Sequence, residues 1–390
     1  MSFGTLVLLV LAGLGGPLLA VVTGRFIPVV VGEILAGILV GPAVLGSVDP
    51  TNATIATLGE VGFAMLMLTV GMHLPLRDRR LAAAARKGAL LAGLVCVLAV
   101  PAGLLAAAVA GSGHAAIYAV VLASGSAAVL LPAIEETGLA GAEVLSAMAQ
   151  VTIADIITIL AVPIVLQPGR VGHVVLGGIL VAAGAVLLFG AARLLAAHDW
   201  VHRLRHKSKQ RRWALDLRLS LLGLFVLAWI AQKGGTSILI AGFAAGLMVA
   251  VIGGPKRLST QVRGIADGFF VPLYFVVLGA QLDLAGLVND PAMLALAAAL
   301  AVLNVAIHLL AGLVVRQPVA AALTGTAQLG VPAAVASLGL AEHLLSAVVA
   351  TAIVASALVS LAVCTVGVEM LAQAGAGADS GSVSGTPAAA

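Results

Sequence analysis

The sequence predicts an all-α polytopic membrane protein of about 13 transmembrane helices in two inverted six-helix repeats. Three observations predict this fold: a composition with few charges, a succession of long apolar segments, and two glycine motifs that recur in the second half of the chain. Of the 390 residues, 62% are hydrophobic and 9% are charged, whereas about 25% are charged in a typical soluble domain. So few charges argue against a soluble enzyme, a nucleic-acid-binding protein and a disordered chain.

Thirteen segments are long and apolar enough to cross a bilayer core, which takes about 20 mostly apolar residues in a helix. None shows the short alternating pattern of a membrane β-barrel strand. Because no basic residue precedes the first segment, we interpret it as a membrane span and not as a cleaved signal peptide. Numbered 1 to 13 in chain order, the segments are 3–22, 27–46, 56–74, 88–110, 115–133, 141–165, 171–197, 214–231, 235–253, 264–282, 291–315, 317–340 and 342–372.

The basic residues fix the orientation of these segments. Loops after odd-numbered segments, with the adjoining segment ends, hold 18 of the 20 Lys and Arg residues, and Arg170 and Lys233 are the other two. The positive-inside rule therefore places the odd loops in the cytoplasm, the N-terminus outside and the C-terminus inside. One segment more or fewer would disrupt this segregation. The 18 are Arg25, Arg77, Arg79, Arg80, Arg86, Lys87, Arg193, Arg203, Arg205, Lys207, Lys209, Arg211, Arg212, Arg218, Lys256, Arg257, Arg263 and Arg316.

Two stretches fall outside the apolar segments. The basic loop 198–213 is interpreted first as a solvated cytoplasmic linker that sets topology, with contact to anionic lipid or a regulatory partner as the alternative. The small, polar tail 374–390 is expected to be disordered, and no soluble nucleotide-binding domain is expected after it. Cys96 and Cys364 lie in apolar runs and indicate neither a disulfide framework nor a metal site.

Two motifs recur along the chain and define an internal repeat. Residues 35–41 of segment 2 and 240–246 of segment 9 both read hydrophobic-A-G-x-x-x-G, and the glycine of 68–74 in segment 3 matches that of 276–282 in segment 10. The two segments that share a motif lie an odd number of segments apart, so they cross the membrane in opposite directions. We expect repeat one at about 3–165, a linker helix at 171–197 and repeat two at about 214–372, an arrangement characteristic of secondary transporters. Close helix packing of the small-xxx-small type is the alternative explanation of the glycines.

Asp155 is the clearest candidate for an ion-binding residue. It lies in segment 6, about twelve residues from Glu143 and fifteen from Arg170, so at about 1.5 Å per residue it falls near mid-bilayer. Charge is expensive there, which makes an ionisable residue a functional candidate by default. A lone carboxylate in this position can hold a proton or a cation. A purely structural, hydrogen-bonding Asp is the alternative.

Segments 5 and 12 carry small polar residues with Gly and Pro at equivalent places in the two repeats, at 123–127 and 324–332. Such sequences let a helix unwind where it lines a cavity, and the freed carbonyl groups and helix ends bind ions. We therefore expect Ser124, Ser126 and Thr152 to join Asp155 in binding the ion, unless the small residues only pack. Segment 11 and segment 12 supply possible support, namely Asn304, His308, Gln328 and Thr326. His308 is expected to pair with Asp155, to sense pH, or simply to pack.

Four stretches together resemble the monovalent cation:proton antiporter-2 family, including Kef-type and other bacterial exchangers. They are 28–46, 58–74, 151–159 and 268–284, and the likeness covers about residues 1–370. The resemblance implies a homodimer with a rigid dimerisation domain and a mobile core, in which segments 5 and 12 are two crossed broken helices. It also implies that Asp155 binds H⁺ in competition with Na⁺, K⁺ or Li⁺ during elevator-like alternating access.

The sequence departs from this family at three positions. Ala154 stands where the family often has Asp, Asn or Gln, His308 falls near a position often held by Lys or Arg, and Val331 replaces a common Glu. One exchangeable carboxylate then remains, which favours electroneutral exchange and leaves the substrate open.

From these features we expect a secondary active antiporter, not an enzyme, that exchanges Na⁺ or K⁺ for H⁺ in the bacterial plasma (inner) membrane. No cofactor, no nucleic acid and no metal beyond the transported cation is expected. Two alternatives keep the fold: a carrier of a small organic solute and a non-transporting sensor subunit.

Overall fold

The computed structural model describes residues 2–23, 28–73, 79–196, 198–211, 213–252 and 256–383, and these are helical or in short connections, without a strand. The helices are α1 (Phe3–Gly13), α2 (Gly15–Thr23), α3 (Val29–Val40), α4 (Ala53–His73), α5 (Arg79–Ala110), α6 (Ala115–Ala123), α7 (Ala127–Thr137), α8 (Ala142–Leu166), α9 (Val171–Ala196), α10 (Asp199–Gln210), α11 (Leu215–Lys233), α12 (Ile238–Ile252), α13 (Lys256–Ile265), α14 (Val271–Gln281), α15 (Leu284–Asn289), α16 (Pro291–Val315), α17 (Val319–Thr324), α18 (Gly330–Ala341) and α19 (Ala347–Val383). A 3₁₀ turn covers Pro168–Arg170, and a π-helical turn at Ala266–Phe270 joins α13 to α14.

All thirteen predicted segments are largely helical, which confirms the predicted fold class. Within the described residues, nine helical spans are long and apolar enough to cross a membrane, and four shorter apolar helices add to them. Three segments are interrupted: segment 1 at Leu14, segment 5 between α6 and α7, and segment 12 between α17 and α18. Arg25, Arg77 and Arg212, which contributed to the topology argument, lie outside the described residues.

Two stretches are more helical than we expected. The basic stretch 198–213 contains α10, whose inward face carries Val201, Leu204 and Ser208, at the spacing of one helix face. The last helix runs to Val383, beyond residue 374 where we expected the tail to begin. Residues 384–390 of that tail lie outside the described residues.

The chain folds into two compact units, each built from separate stretches of sequence. Unit 1 comprises Met1–Arg77, Ile159–Asn289 and Ala333–Thr351, and unit 2 comprises Asp78–Thr158, Asp290–Pro332 and Ala352–Ala390. Unit 2 therefore contains both interruptions at 124–126 and 325–329. The linker helix predicted at 171–197 is α9 and belongs to unit 1.

Unit 1 uses the repeated glycines as close helix contacts. Helix α3 packs on α14, where a Cβ on Gly37 would meet the carbonyl oxygen of Val276, and one on Gly279 would meet Ile34. Helix α12 packs on α4 in the same way, through Gly246 and Gly71. Each contact thus joins the A-G-x-x-x-G motif of one repeat to the glycine motif of the other. Reciprocal pairing of this kind is what two inverted repeats related by a pseudo-two-fold axis produce.

Unit 2 holds the interrupted helices against continuous ones. Helix α5 packs on α6 and α16, and Gly103 allows the backbone of α6 to approach, since a Cβ there would lie 2.6 Å from the Ala115 carbonyl oxygen. Lys87, the ninth residue of α5, forms an ion pair with Glu143 at the start of α8, with 2.7 Å between Nζ and Oε1. Both side chains of this pair are partly exposed, so it contributes about 0–1 kcal/mol.

Candidate functional site

Two helix interruptions form the centre of the candidate site. Helix α6 ends at Ala123, Ser124 and Ser126 have extended backbone angles, and α7 begins at Ala127. Gly125 lies against α8, because a Cβ there would be 2.9 Å from the Val151 carbonyl oxygen. Each interruption leaves amide and carbonyl groups that the helix itself does not pair. In a buried setting those groups need side-chain partners.

Asp155 supplies such a partner to the first amide of α7. Its side chain lies on α8, is 2% exposed, and accepts a hydrogen bond of 3.1 Å from the Ala127 amide. The N-terminal end of a helix carries a partial positive charge, which favours a carboxylate at this position. A carboxylate offers about four lone-pair positions, so this bond leaves capacity for a proton or a cation.

Gln328 joins the two interruptions to each other. Its Nε2 donates to the carbonyl oxygens of Val121 at 2.8 Å and Leu122 at 3.4 Å, near the C-terminal end of α6. The same nitrogen lies 2.9 Å from Oδ1 of Asn304. Gln328 itself belongs to the interruption between α17 and α18, so one amide side chain satisfies backbone groups of the other broken helix.

Asn304 is the hub of this network and is fully buried on α16. Its Nδ2 donates to the Thr326 carbonyl oxygen at 3.0 Å and to Oγ of Ser360 at 2.9 Å, while its Oδ1 accepts from Gln328. The side chain therefore connects three elements of unit 2: α16, the second interruption and α19. Ser360 was not among the residues we predicted.

His308 lies one turn after Asn304 on α16 and is buried. Its Nδ1 lies 2.8 Å from the Asn304 carbonyl oxygen, whereas the hydrogen bond of Asp155 goes to Ala127. The contacts of the described residues therefore do not pair His308 with Asp155. The imidazole instead flanks the second interruption, since a Cβ on Gly325 would lie 3.0 Å from its Cδ2.

The hydroxyl residues predicted as ligands (Ser124, Ser126 and Thr152) or as site support (Thr326) divide into two groups. Ser124 and Thr326 donate to the carbonyl oxygens of Val121 and Leu323, both at 2.7 Å, and so help to end α6 and α17. Thr152 is buried, and its Oγ1 has no hydrogen-bond partner among the described residues. Ser126 is buried at the N-cap position of α7, beside the amide that Asp155 accepts from.

Gln150 is a buried polar residue of this region that the sequence analysis missed. It lies on α8, is 2% exposed, and its Oε1 has no hydrogen-bond partner among the described residues. A Cβ on Gly325 would lie 3.0 Å from its Nε2, which places the amide beside the second interruption. Its position five residues before Asp155, in an otherwise apolar run, was the available signal.

The polar groups at the first interruption suit a hard monovalent cation. The carboxylate of Asp155 and the hydroxyls of Ser126 and Thr152 are hard oxygen donors, the type that such cations prefer. Within the described residues, no group of three or more His, Cys, Asp or Glu side chains is placed to hold a metal ion. A buried acidic residue beside discontinuous helices is typical of ion-coupled membrane carriers.

The chain belongs to the sodium/hydrogen exchanger transmembrane family, whose family model matches residues 6–374. This finding confirms the resemblance noted from the sequence. The chain is also similar in fold to the solved structure of the sodium proton antiporter MjNhaP1 from Methanocaldococcus jannaschii at pH 8. The TM-score is 0.62 at 17% identity, over 95% of this chain and 98% of that one.

Several curated relatives carry antiporter names. The chain is 26% identical over 286 residues to the putative Na(+)/H(+) antiporter YjbQ of Bacillus subtilis, covering 69% of this chain and 45% of that protein. It is 23% identical over 270 residues to the Na(+)/H(+)-K(+) antiporter GerN of Bacillus cereus, covering 67% of each. It is 28% identical over 309 residues to the putative cation/proton antiporter YbaL of Escherichia coli, covering 74% of this chain and 54% of that protein. The chain thus spans about half the length of YjbQ and YbaL.

Proposed function

We propose that this chain is a secondary active antiporter, not an enzyme, and that it exchanges Na⁺ or K⁺ for H⁺. The observation that carries the proposal is the buried carboxylate of Asp155 against the first amide of the interrupted helix α7. The names of YjbQ and GerN, which specify Na⁺/H⁺ and Na⁺/H⁺–K⁺ exchange, support the choice of ions.

Competition for one carboxylate is the proposed mechanism. Inside the membrane an uncompensated charge is costly, so Asp155 crosses either protonated or paired with a cation. Oxygen atoms of Thr152 and Ser126 complete the cation's ligand shell. The Oγ1 of Thr152 is buried and has no hydrogen-bond partner among the described residues. Because one carboxylate cannot hold both ions at once, one cation exchanges for one proton and the exchange is electroneutral.

Alternating access carries this site from one side of the membrane to the other. All eight predicted site residues belong to unit 2, which supports unit 2 as the moving body. We further propose a homodimer in the bacterial plasma membrane with the N-terminus outside and the C-terminus in the cytoplasm. The ion pair between Lys87 and Glu143 supports this topology. Both residues adjoin loops that follow odd-numbered segments, which the topology places on the cytoplasmic side.

The experiment measures a pH gradient in everted vesicles with a fluorescent probe. Adding Na⁺, K⁺ or Li⁺ should restore fluorescence with the wild-type protein and not with Asp155→Asn. Glu342→Gln is the matched control, because it removes a carboxylate that is exposed. If the folded wild-type protein responds to none of these cations, antiport of monovalent cations is wrong, and a small organic solute becomes the cargo to test.

Electroneutrality is tested separately in proteoliposomes with the membrane voltage clamped by valinomycin and potassium. An electroneutral exchanger gives the same rate of Na⁺-driven proton movement at every voltage. A rate that follows the voltage would contradict one-for-one exchange while leaving antiport intact.

A further inference from the structure

Unit 1 contains a cavity that plays no part in the proposed ion site. It has a volume of about 540 Å³ and lies among α9, α10, α11, α12 and α13. That volume falls within the roughly 300–1,000 Å³ of small-molecule sites. The wall is mainly aliphatic and includes Leu188, Ala192, Leu195, Leu219, Met248 and Ile252.

A smaller polar cavity of about 220 Å³ adjoins the first and shares Leu215, Asp216 and Leu258 with it. Its other walls include Ser208, Arg257 and Gln261. The pair of cavities thus has a long apolar part and a short polar part that holds an arginine. A guanidinium group binds phosphate through paired hydrogen bonds.

The helix α10 covers the apolar cavity with its hydrophobic face. Trp200, Val201 and Leu204 line the cavity, while Arg203 and Lys207 on the same helix are exposed. A helix with an apolar inner face and a basic outer face is typical of the interface between hydrocarbon and headgroups. The half-exposed Trp200 suits that depth, because tryptophan is enriched at this level of the bilayer.

Exposed basic side chains outnumber exposed acidic ones in the described part of the stretch 198–218, which contributes to both cavities. Arg203, Lys207, Arg211 and Arg218 are exposed there. In the wall of the polar cavity, Arg257 is exposed, and Asp216 is partly buried and has interactions of its own. This surplus of positive charge favours a ligand with a negatively charged group, and basic residues next to membrane helices attract anionic lipids in this way.

We propose that these two cavities form a binding site for one anionic phospholipid. One acyl chain fills the aliphatic cavity, and the phosphate group lies in the polar cavity, where the Arg257 guanidinium and the side-chain amide of Gln261 donate to it. Burial of each methylene contributes about 0.8 kcal/mol to lipid binding. The apolar part gives affinity for the chain, and the arginine gives selectivity for a negative headgroup.

Native mass spectrometry of the purified full-length protein tests this proposal. Dioleoyl phosphatidylglycerol and dioleoyl phosphatidylcholine are titrated separately, since they share acyl chains and differ in net charge. We expect one phosphatidylglycerol per chain to bind more tightly than phosphatidylcholine. Glycerol 3-phosphate without acyl chains should not displace it. Equal binding of the two lipids, or displacement by glycerol 3-phosphate alone, would overturn the proposal.

Two pairs of variants locate the site. Arg257→Gln should weaken phosphatidylglycerol binding about fivefold, the factor that corresponds to about 1 kcal/mol per basic residue near the surface. Arg263→Gln on the same helix is the control, because Arg263 is exposed, bonded to Ser259, and absent from both cavity walls. Equal affinities of the Arg257 variant and wild type would refute the assignment of the headgroup.

The second pair tests the acyl-chain cavity. Ala192→Phe places a ring in the cavity and should reduce binding of both lipids, whereas Ala183→Phe on the exposed face of α9 should leave it unchanged. Melting curves show whether each variant is folded. A folded Ala192 variant that binds phosphatidylglycerol like wild type would show that the chain does not enter this cavity.

Discussion

Replacing Asn304 by Leu tests whether an amide hub holds the two interrupted helices together. The substitution keeps the approximate volume, so a cavity contributes little, but it removes both hydrogen bonds from Nδ2 and the one that Oδ1 accepts. Hydrogen bonds between membrane helices contribute about 0.6 kcal/mol each on average and about 1.7 at most. Loss of all three should therefore destabilise the protein by about 2–5 kcal/mol.

The assay for this variant combines thermal unfolding in detergent with transport in proteoliposomes. A loss of about 2 kcal/mol lowers the melting temperature by roughly 4–8 °C for a unit of 150–250 residues. The loss of the Asn304 bond to the Thr326 carbonyl should also reduce the transport rate, because the second interruption is then held less rigidly. Asn289→Leu is the control, since Asn289 is exposed. If Asn304→Leu melts and transports like wild type, the hub does not hold the site.

Three further predictions follow from other features of the two units. Gly279→Ala should destabilise the protein by about 1–3 kcal/mol through overpacking, because the new Cβ would meet the Ile34 carbonyl oxygen. Gly93→Ala, at an exposed helical position with open space, should instead be neutral or stabilising by up to about 1 kcal/mol in the same melting assay. Thr152→Val should raise the cation concentration at half-maximal transport several-fold with little change in melting temperature, because it removes a buried oxygen that has no hydrogen-bond partner among the described residues. An unchanged cation dependence would remove Thr152 from the ligand shell. Protons and cations compete for the carboxylate of Asp155 in the proposed mechanism. Lowering the pH in the range where Asp155 binds protons should therefore raise the cation concentration at half-maximal transport about tenfold per pH unit. A half-maximal concentration that does not change with pH would contradict competition.

Much of the architecture could be predicted because it depends on local sequence. Apolar length identified the thirteen segments, and Gly, Pro and hydroxyl residues at 123–127 and 324–332 indicated both interruptions in the site. The helix within 198–213 was not predicted, because its many charges are also typical of a solvated loop. Val201, Leu204 and Ser208 recur at helical spacing within a stretch that is otherwise polar.

The partners within the site could not be predicted in the same way, because they are distant in the sequence. Gln328 and the Val121 carbonyl that it binds are 207 residues apart, and Asn304 and Ser360 are 56 apart. Composition shows that such polar side chains are present in apolar segments, but only the fold shows which backbone groups they satisfy. The sequence shows Gln150 as a polar residue near Asp155, but not that its neighbour in the fold is Gly325 on another element.

The arrangement of polar groups explains how one carboxylate can serve an interrupted pair of helices. The C-terminal end of α6 is satisfied by the neutral amide of Gln328, and the second interruption by the neutral amide of Asn304. In the part of the chain that the structure describes, only the N-terminal end of α7 bonds to a carboxylate, that of Asp155. Neutral amides keep their hydrogen bonds whichever ion is bound, so the contacts of Gln328 and Asn304 do not depend on the transported charge. In the proposed mechanism, the exchange of a proton for a cation changes only what the carboxylate of Asp155 binds. The amide contacts of Gln328 and Asn304 stay as they are. This division between a fixed neutral network and one exchangeable carboxylate is the physical basis for expecting one-for-one exchange.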